Sequence, residues 1–230
     1  LNLVLYAGHG EFPRAIFAPG TVEQCFHLTY LSVHMAEKYQ SPVFVLTDQF
    51  LADSYRGVAP FDLAALPAVA RPGTAHDDPG VYDRYAVTDS GVSPRLVPGF
   101  GDYLVVADSD EHTADGHITE DLGVRVAMQV KRSRKMAGLL ADAVPPDLHG
   151  DPSSDVLLAC WGTTLGAALE AAAILRDSGT SCAVLHFSQV YPLVPAQFLP
   201  LLEKSPRAVM VEGNSTGQLA RLIRQETGFV

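Results

Sequence analysis

The last quarter of the chain contains two apolar runs that each lead into a polar turn, and this pattern constrains the fold most strongly. Residues 181–185 and 207–211 are typical of buried strands, and a helix that ends at Gly228 follows the second run. Strands that alternate with helices predict an α/β fold with a parallel sheet and right-handed crossovers. Open sheets of this kind bind ligands or partners at the carboxyl ends of their strands, so we expect functional groups in these turns.

Two further elements extend this C-terminal α/β unit. Residues 155–161 predict a strand, and residues 165–177 predict an alanine-rich helix that Gly179 closes in a left-handed conformation. Residues 195–204 predict a short helix that is bent or broken at Pro200, because proline lacks the amide that a helix interior requires.

The turns after these strands contain the polar groups that could bind a ligand or a partner. Residues 162–164 (GTT) could cap the following helix, which we favour, or bind an anion on its first amides. Ser215 and Gln218 have the spacing of a capping box and are explained by that role. Asn214 and Thr216 are then left over, and we expect them at a domain or subunit interface.

The first 57 residues are typical of the end of another α/β unit. Thr21 and Gln24 have capping-box spacing, and the helix behind them carries apolar residues on two faces. We therefore expect that helix to be buried on both sides, between a sheet and another layer. Residues 42–47 predict a short, fully buried parallel strand, and residues 48–54 predict the start of a further helix.

Residues 58–152 differ in character from the sequence on either side. Proline, glycine and aspartate are frequent, and Pro-Gly turn signals occur at 72–73, 79–80 and 98–99. One helix is predicted near residues 122–142. A long irregular segment in a compact protein usually has a function, so we interpret it as a linker with elaborations that wraps a neighbour.

Composition excludes several classes of function. The 230 residues carry a formal net charge of −10, which argues against binding nucleic acid or an anionic membrane surface. The 3 cysteines, Cys25, Cys160 and Cys182, are scattered and include no CxxC. This usage predicts a reducing cytoplasmic location, and it falls short of the roughly four thiolates of an iron–sulfur cluster.

The loop at 108–121 (DSDEHTADGHITED) is the first candidate site, since its histidines and carboxylates are the ligands that divalent metals use. The other interpretation is a polar loop held by Asx turns and internal ion pairs. Neither an HExxH nor a DxDxDG spacing occurs in it, so we predict no metal.

The second candidate site is the glycine-rich segment that carries His9, Glu11 and Arg14. These side chains could contact a carboxylate or a cofactor, because the flanking glycines allow a close approach to the backbone. A tight turn with a surface ion pair explains the same residues equally well.

Several segments together resemble the alpha subunit of 2-oxoacid:ferredoxin oxidoreductases, particularly those that act on 2-oxoglutarate. The matching stretches follow one another along nearly the whole chain: 8–21 (GHGEFPRAIFAPGT), 36–54 (AEKYQSPVFVLTDQFLADS), 108–121 (DSDEHTADGHITED), 185–193 (LHFSQVYPL) and 211–228 (VEGNSTGQLARLIRQETG).

The resemblance implies a division of the chain. Residues 1–57 would be the C-terminal part of a pyrimidine-type thiamine diphosphate domain, and residues 153–230 a transketolase C-terminal-like, Rossmann-like parallel-sheet domain. Residues 58–152 would connect them. His9, Glu11 and Arg14 would face the cofactor or substrate.

The resemblance also implies partners and a reaction. A beta subunit would hold or share thiamine diphosphate and magnesium and would carry the iron–sulfur cluster, with gamma and delta subunits possible in the same oligomer. The complex would convert a 2-oxoacid and coenzyme A to an acyl-CoA and carbon dioxide, and it would reduce ferredoxin. For 2-oxoglutarate the product would be succinyl-CoA.

The sequence departs from the family pattern in one respect. It begins within the pyrimidine domain, so the acid that contacts the cofactor ring is missing, and no GDG…N motif for magnesium and diphosphate occurs. We therefore expect no cofactor in this segment and no activity from it alone. The alternative is a stand-alone Rossmann-like binding module whose 108–121 loop holds a metal or small ligand.

Overall fold

The structure, a computed structural model, describes residues 1–69, 71, 73 and 82–230. The predicted turn at 79–80 and the proline of the turn at 72–73 lie outside these residues.

The helices are α1 (Asn2–Leu5), α2 (Val22–Tyr39), α3 (Gln49–Ala52), α4 (Leu122–Ala141), α5 (Thr164–Asp177), α6 (Leu199–Lys204) and α7 (Gln218–Thr227). The strands are β1 (Ala15–Phe17), β2 (Val43–Val45), β3 (Asp147–His149), β4 (Val156–Trp161), β5 (Cys182–Phe187), β6 (Gln189–Tyr191) and β7 (Ala208–Val211). Short 3₁₀ turns cover Leu63–Ala65 and Pro195–Gln197.

The described residues form a four-stranded sheet of order β3-β5-β4-β7 and a three-stranded sheet of order β2-β1-β6. In the larger sheet β5, β4 and β7 run parallel, which confirms the predicted parallel sheet, and β3 is antiparallel at one edge. In the smaller sheet β2 is parallel to β1 and β6 is antiparallel to it. Because β6 follows β5 closely in the chain, the C-terminal region supplies a strand to the N-terminal sheet.

Strand β1 lies between the two halves of the core. Ala15 and Phe17 pack in a cluster with residues of α2 and α4, whereas Ile16 packs in the cluster of the C-terminal region. Successive side chains of a strand point to opposite faces, so this short strand packs into both clusters. All three residues of β1 are fully buried.

Helix α2 has one buried face rather than the two that its sequence predicts. Leu28, Met35 and Tyr39 are buried against the sheet and α4, but Val33 on the other face is 50% exposed. The expectation that α2 is buried on both sides is therefore wrong for the described residues, because the chain covers only part of the second face, where Phe26 stacks on Phe61 with ring centroids 3.9 Å apart. Thr21 caps the helix as predicted, accepting a bond from the Gln24 amide over 3.1 Å.

Two other predictions require correction. Strand β2 is parallel as predicted but half-buried rather than fully buried, because it lies at the edge of its sheet. The short helix near the C-terminus is not broken at Pro200; a 3₁₀ turn ends at Gln197, and α6 begins at Leu199 with Pro200 in its first turn. Proline fits there because the first helical amides need no intrahelical partner.

The segment before α4 packs on that helix. Lys131, which is 4% exposed, donates from Nζ to the Tyr85 carbonyl over 2.7 Å. Asp121 caps α4 at the Val124 amide over 2.8 Å, so this helix was predicted with nearly correct bounds. That the segment also wraps a neighbouring molecule stays a prediction. In the part of the chain that the structure describes, no helix is both long and apolar enough to cross a membrane.

Candidate functional site

Two pairs of parallel strands, β1 with β2 and β4 with β7, end around one cavity of about 290 Å³, at the edge where open α/β sheets bind ligands. Asp48 lines it after β2, and Trp161 and Thr163 line it at the end of β4. Pro19 follows β1 and Asn214 follows β7. The cavity therefore lies where the two sheets meet, and both contribute to its wall.

Glu212 organises the end of β7. Its carboxylate accepts hydrogen bonds from the backbone amides of Leu219 and Ala220, each over 3.0 Å, at the start of α7. It also accepts from Nε1 of Trp161 over 3.0 Å and from Nδ2 of Asn214 over 2.7 Å. Burial alone would raise the pKa of Glu212, but these four donors outweigh burial and hold its pKa below the ordinary value.

The capping role predicted for Ser215 and Gln218 is wrong. Neither side chain caps α7, because the carboxylate of Glu212 and Oδ1 of Asn214 occupy the first amides instead. Gln218 accepts a bond from the Asn2 amide over 3.0 Å. A carboxylate directly between a strand and a helix N-terminus was the available signal, since the helix dipole favours negative charge there.

The structure places Asn214 and Thr216 at the same turn but gives them different exposure. Asn214 Oδ1 accepts from the Gln218 amide over 3.1 Å, so its side chain is held within the chain. Thr216 is exposed, and its amide is 3.3 Å from Asn214 Oδ1. Their assignment to an interface stays a prediction.

Gly20, Gly162 and His186 lie close together where the two sheets meet. His186 is fully buried, and its Nε2 lies 3.1 Å from the Gly162 carbonyl oxygen. A carbonyl only accepts, so Nε2 carries the proton of the neutral ring. Burial lowers the pKa of His186 despite the opposing effect of that carbonyl, and its Nδ1 has no partner among the described residues.

His9, Glu11 and Arg14 precede β1 and so lie at its amino end, at the opposite edge from the strand-end cavity. His9 and Glu11 are exposed, whereas Arg14 is buried. His9 lines a cavity of about 440 Å³ beside α4, and Arg14 lines another of about 600 Å³ beside α7. Glu11 borders both. The three side chains do not converge on one cavity. Their role in binding a cofactor therefore stays a prediction, and their position at the amino end of β1 does not favour it.

The 108–121 loop is held by internal ion pairs. Glu111 accepts from Nη1 and Nη2 of Arg132 over 3.0 and 2.7 Å and from Arg125 over 3.2 Å. Arg132, helped by Arg125, lowers the pKa of Glu111 to about 2 although burial opposes this. The His112 ring stacks on Tyr85 with centroids 3.6 Å apart. Among the described residues, no three His, Cys, Asp or Glu side chains are grouped to hold a metal ion.

The hydroxyl groups of residues 162–164 form hydrogen bonds to other groups of the same chain. Thr164 Oγ1 donates to the Trp161 carbonyl over 2.6 Å, and the Thr163 hydroxyl donates to Asp48 across the junction between the sheets. Asp48 also caps α3 through the Leu51 amide over 2.9 Å. Thr163 occupies the N-cap position of α5, but its side chain accepts no bond from the first helical amides, so the predicted capping role is wrong.

Fold and site together define an α/β protein of two joined sheets whose strand ends share one cavity. Residues 2–131 match the family described as pyruvate flavodoxin/ferredoxin oxidoreductase, thiamine diphosphate-binding, and residues 149–225 match the transketolase C-terminal domain. Since the first match covers more than half of the chain, the chain belongs to that family.

Named relatives agree with this membership. The chain is 33% identical over 230 residues to 2-oxoacid:ferredoxin oxidoreductase 2, subunit alpha, of Aeropyrum pernix, covering 98% of this chain and 35% of that protein. It is 30% identical over 232 residues to the 2-oxoglutarate oxidoreductase subunit KorA of Mycobacterium tuberculosis, covering 96% and 33%. The chain thus spans about a third of the length of these relatives.

One solved structure resembles the whole chain. It is a 2-oxoglutarate:ferredoxin oxidoreductase from Magnetococcus marinus with 2-oxoglutarate, coenzyme A and succinyl-CoA bound. The TM-score is 0.88 at 28% identity, and the match covers 100% of this chain and 40% of that one.

The family description implies thiamine diphosphate, and the residues at the strand-end cavity can be tested for their fit to it. Among the described residues Asp48 is the carboxylate that lines the cavity, and Glu212 lies next to it without lining it; both accept from helix amides and side-chain donors. The described residues thus leave no free carboxylate at this cavity for a magnesium diphosphate group. They do not fit the complete cofactor, and no catalytic step is derived through it.

Proposed function

We propose that the chain forms part of the alpha subunit of a 2-oxoacid:ferredoxin oxidoreductase and that its 2-oxoacid is 2-oxoglutarate. The complex transfers the succinyl group of 2-oxoglutarate to coenzyme A, releases carbon dioxide, and passes the electrons to ferredoxin. The observation that carries this proposal is the similarity of the entire chain, at a TM-score of 0.88, to an enzyme with 2-oxoglutarate and succinyl-CoA bound.

In this proposal the chain contributes a scaffold and a contact surface. Residues 1–57 are the end of the pyrimidine-type domain, 58–152 connect it, and 153–230 form the transketolase C-terminal-like domain. A beta subunit shares or holds thiamine diphosphate and magnesium and carries the iron–sulfur cluster, and gamma and delta subunits complete some assemblies. Asn214 and Thr216 lie at the contact with a neighbouring domain or subunit.

The 230 residues alone have no activity in this proposal. Thiamine chemistry needs an acid at the cofactor ring together with a diphosphate site, whereas Asp48 in the strand-end cavity and Glu212 beside it both cap helices. This expectation is tested by titrating the isolated chain with thiamine diphosphate and magnesium. Tight binding or turnover would overturn it.

The substrate assignment is tested with the complete alpha subunit reconstituted with its beta subunit. We expect viologen reduction that requires coenzyme A and that has a higher kcat/KM with 2-oxoglutarate than with pyruvate. Omission of coenzyme A is the control for non-specific reduction. Equal or greater kcat/KM with pyruvate would overturn the substrate while leaving the class of enzyme intact.

A further inference from the structure

Arg14 is a buried cation without a carboxylate partner among the described residues. Arg14 is only 4% exposed, and its guanidinium forms no ion pair with any described residue. Nη1 donates to the Val4 carbonyl over 2.7 Å, and the guanidinium lies 4.0 Å from the Phe12 ring centroid. The Val4 carbonyl and the Phe12 ring leave most N–H donors of the guanidinium without a hydrogen-bond partner among the described residues. A buried charge without a partner costs free energy.

The donors of Arg14 border a cavity of about 600 Å³ between the segment before β1, strand β6 and helices α4 and α7. Tyr191 of β6 lines the same cavity, and its hydroxyl has no hydrogen-bond partner within the described part of the chain. Burial raises the pKa of Tyr191; Glu226, Tyr6 and Glu11 raise it further, and Arg14 opposes them. All four of these groups line the same cavity as Tyr191.

We propose that this cavity binds a small monocarboxylate, whose carboxylate pairs with Arg14 and accepts a hydrogen bond from the Tyr191 hydroxyl. A guanidinium offers parallel donors that match a carboxylate, and such pairs are stronger when they are withdrawn from water. The ligand thus supplies the carboxylate that no described residue places at ion-pair distance from Arg14, since Glu11 and Glu226 line the cavity without pairing with it.

The charge around the cavity selects against a second carboxylate. Glu11 and Glu226 are exposed and line the same cavity, so a dianion would meet repulsion that a monoanion avoids. The site thus favours a ligand with one carboxylate over a dianion such as 2-oxoglutarate. It lies at the amino end of β1, whereas the strand-end cavity lies at the carboxyl ends, so the inference does not rest on the proposed function.

The test is calorimetric titration of the complete complex with butyrate and with succinate, which share a carbon chain length but differ by one carboxylate. We expect butyrate to bind more tightly than succinate, and we expect Arg14→Gln to weaken butyrate binding by about tenfold or more. Arg221→Gln is the matched control, since Arg221 is exposed on α7 and does not line this cavity. Unchanged butyrate affinity in Arg14→Gln, or no butyrate binding by the wild-type complex, would overturn the proposal.

Two further variants keep the test decisive if Arg14→Gln does not fold. Tyr191→Phe removes only the hydroxyl and should weaken butyrate binding by a few-fold, on the order of one hydrogen bond. Glu226→Gln changes an exposed residue and should raise the affinity for succinate more than that for butyrate. If Glu226→Gln alters both affinities equally and Tyr191→Phe alters neither, the cavity is not the binding site.

Discussion

Nε1 of Trp161 donates a hydrogen bond to Oε2 of Glu212 over 3.0 Å, and this bond joins the carboxyl ends of β4 and β7. The same carboxylate caps α7, so the indole, the helix start and the strand end depend on one side chain. Trp161 lines the strand-end cavity, whereas Glu212 does not. Glu212 therefore acts on the cavity indirectly, because it positions the Trp161 side chain.

Glu212→Ala should lower the free energy of unfolding by about 1–3 kcal/mol, because it removes a helix cap and leaves the Trp161 donor without its partner. Glu212→Gln keeps one acceptor oxygen and should cost less. Urea denaturation of the complete subunit measures both variants against Glu203→Ala, an exposed position on α6. A Glu212→Ala variant as stable as Glu203→Ala would contradict the role given to this carboxylate.

Gly20→Ala should destabilise the junction between the two sheets. A Cβ at this position would lie 2.7 Å from the Gly162 carbonyl oxygen and 2.8 Å from His186 Nε2, and neither group is at the end of a flexible chain. Overpacking of this kind costs about 1–3 kcal/mol. Gly166→Ala is the control: its Cβ would meet nothing within 4 Å on helix α5, so thermal unfolding should show a gain rather than a loss.

His186 should make stability depend on pH. Burial lowers its pKa in the folded state, so the unfolded chain binds its proton first as the pH falls. Its contribution is complete above the unfolded pKa of about 6.5 and decreases as the pH falls through that value toward the folded pKa. The charged and titratable groups that face it are Asp147, which favours the protonated ring, and His149, which opposes it.

The variant His186→Gln should flatten the slope of unfolding free energy against pH in this range, as measured by denaturation at a series of pH values. Ser215→Ala, at an exposed position whose side chain does not titrate in this range, is the control and should leave the slope unchanged. A slope that His186→Gln does not alter would mean that His186 has the same pKa in the folded and unfolded states.

Arg132→Gln should loosen the 108–121 loop, because Arg132 provides two of the four hydrogen bonds that the Glu111 carboxylate accepts within the described residues. Hydrogen exchange of the loop amides should become faster, whereas Arg134→Gln should change it little because Arg134 does not contact Glu111 in the described structure. A chelator should have no effect on the wild-type loop. Faster exchange in the presence of chelator would favour the metal interpretation instead.

The elements that could be predicted from the sequence are those with a strong local signal. Helix α4 has an aspartate cap and a long helical pattern, and strands β4, β5 and β7 are apolar runs bounded by turns. Strands β1, β3 and β6 are not predicted, because each has only three residues and its pairing depends on distant strands.

The candidate site was predicted less completely for the same reason. The strand-end location followed from the α/β pattern, but capping by Glu212 competes with a local Ser215–Gln218 signal that points to the wrong residues. The isolation of Arg14 could not be predicted, since it depends on which carboxylates tertiary packing brings within reach. Local spacing shows what a residue can bind but not which partners the fold supplies.

The most direct test of family membership and partnership is affinity purification of the complete alpha subunit from its source cells. The purified material is analysed for thiamine diphosphate, for iron, and for viologen reduction that needs both 2-oxoglutarate and coenzyme A. We expect a co-purifying beta subunit, both cofactors and this activity together. A subunit that purifies alone, without cofactor and without 2-oxoacid-dependent reduction, would contradict the proposed function.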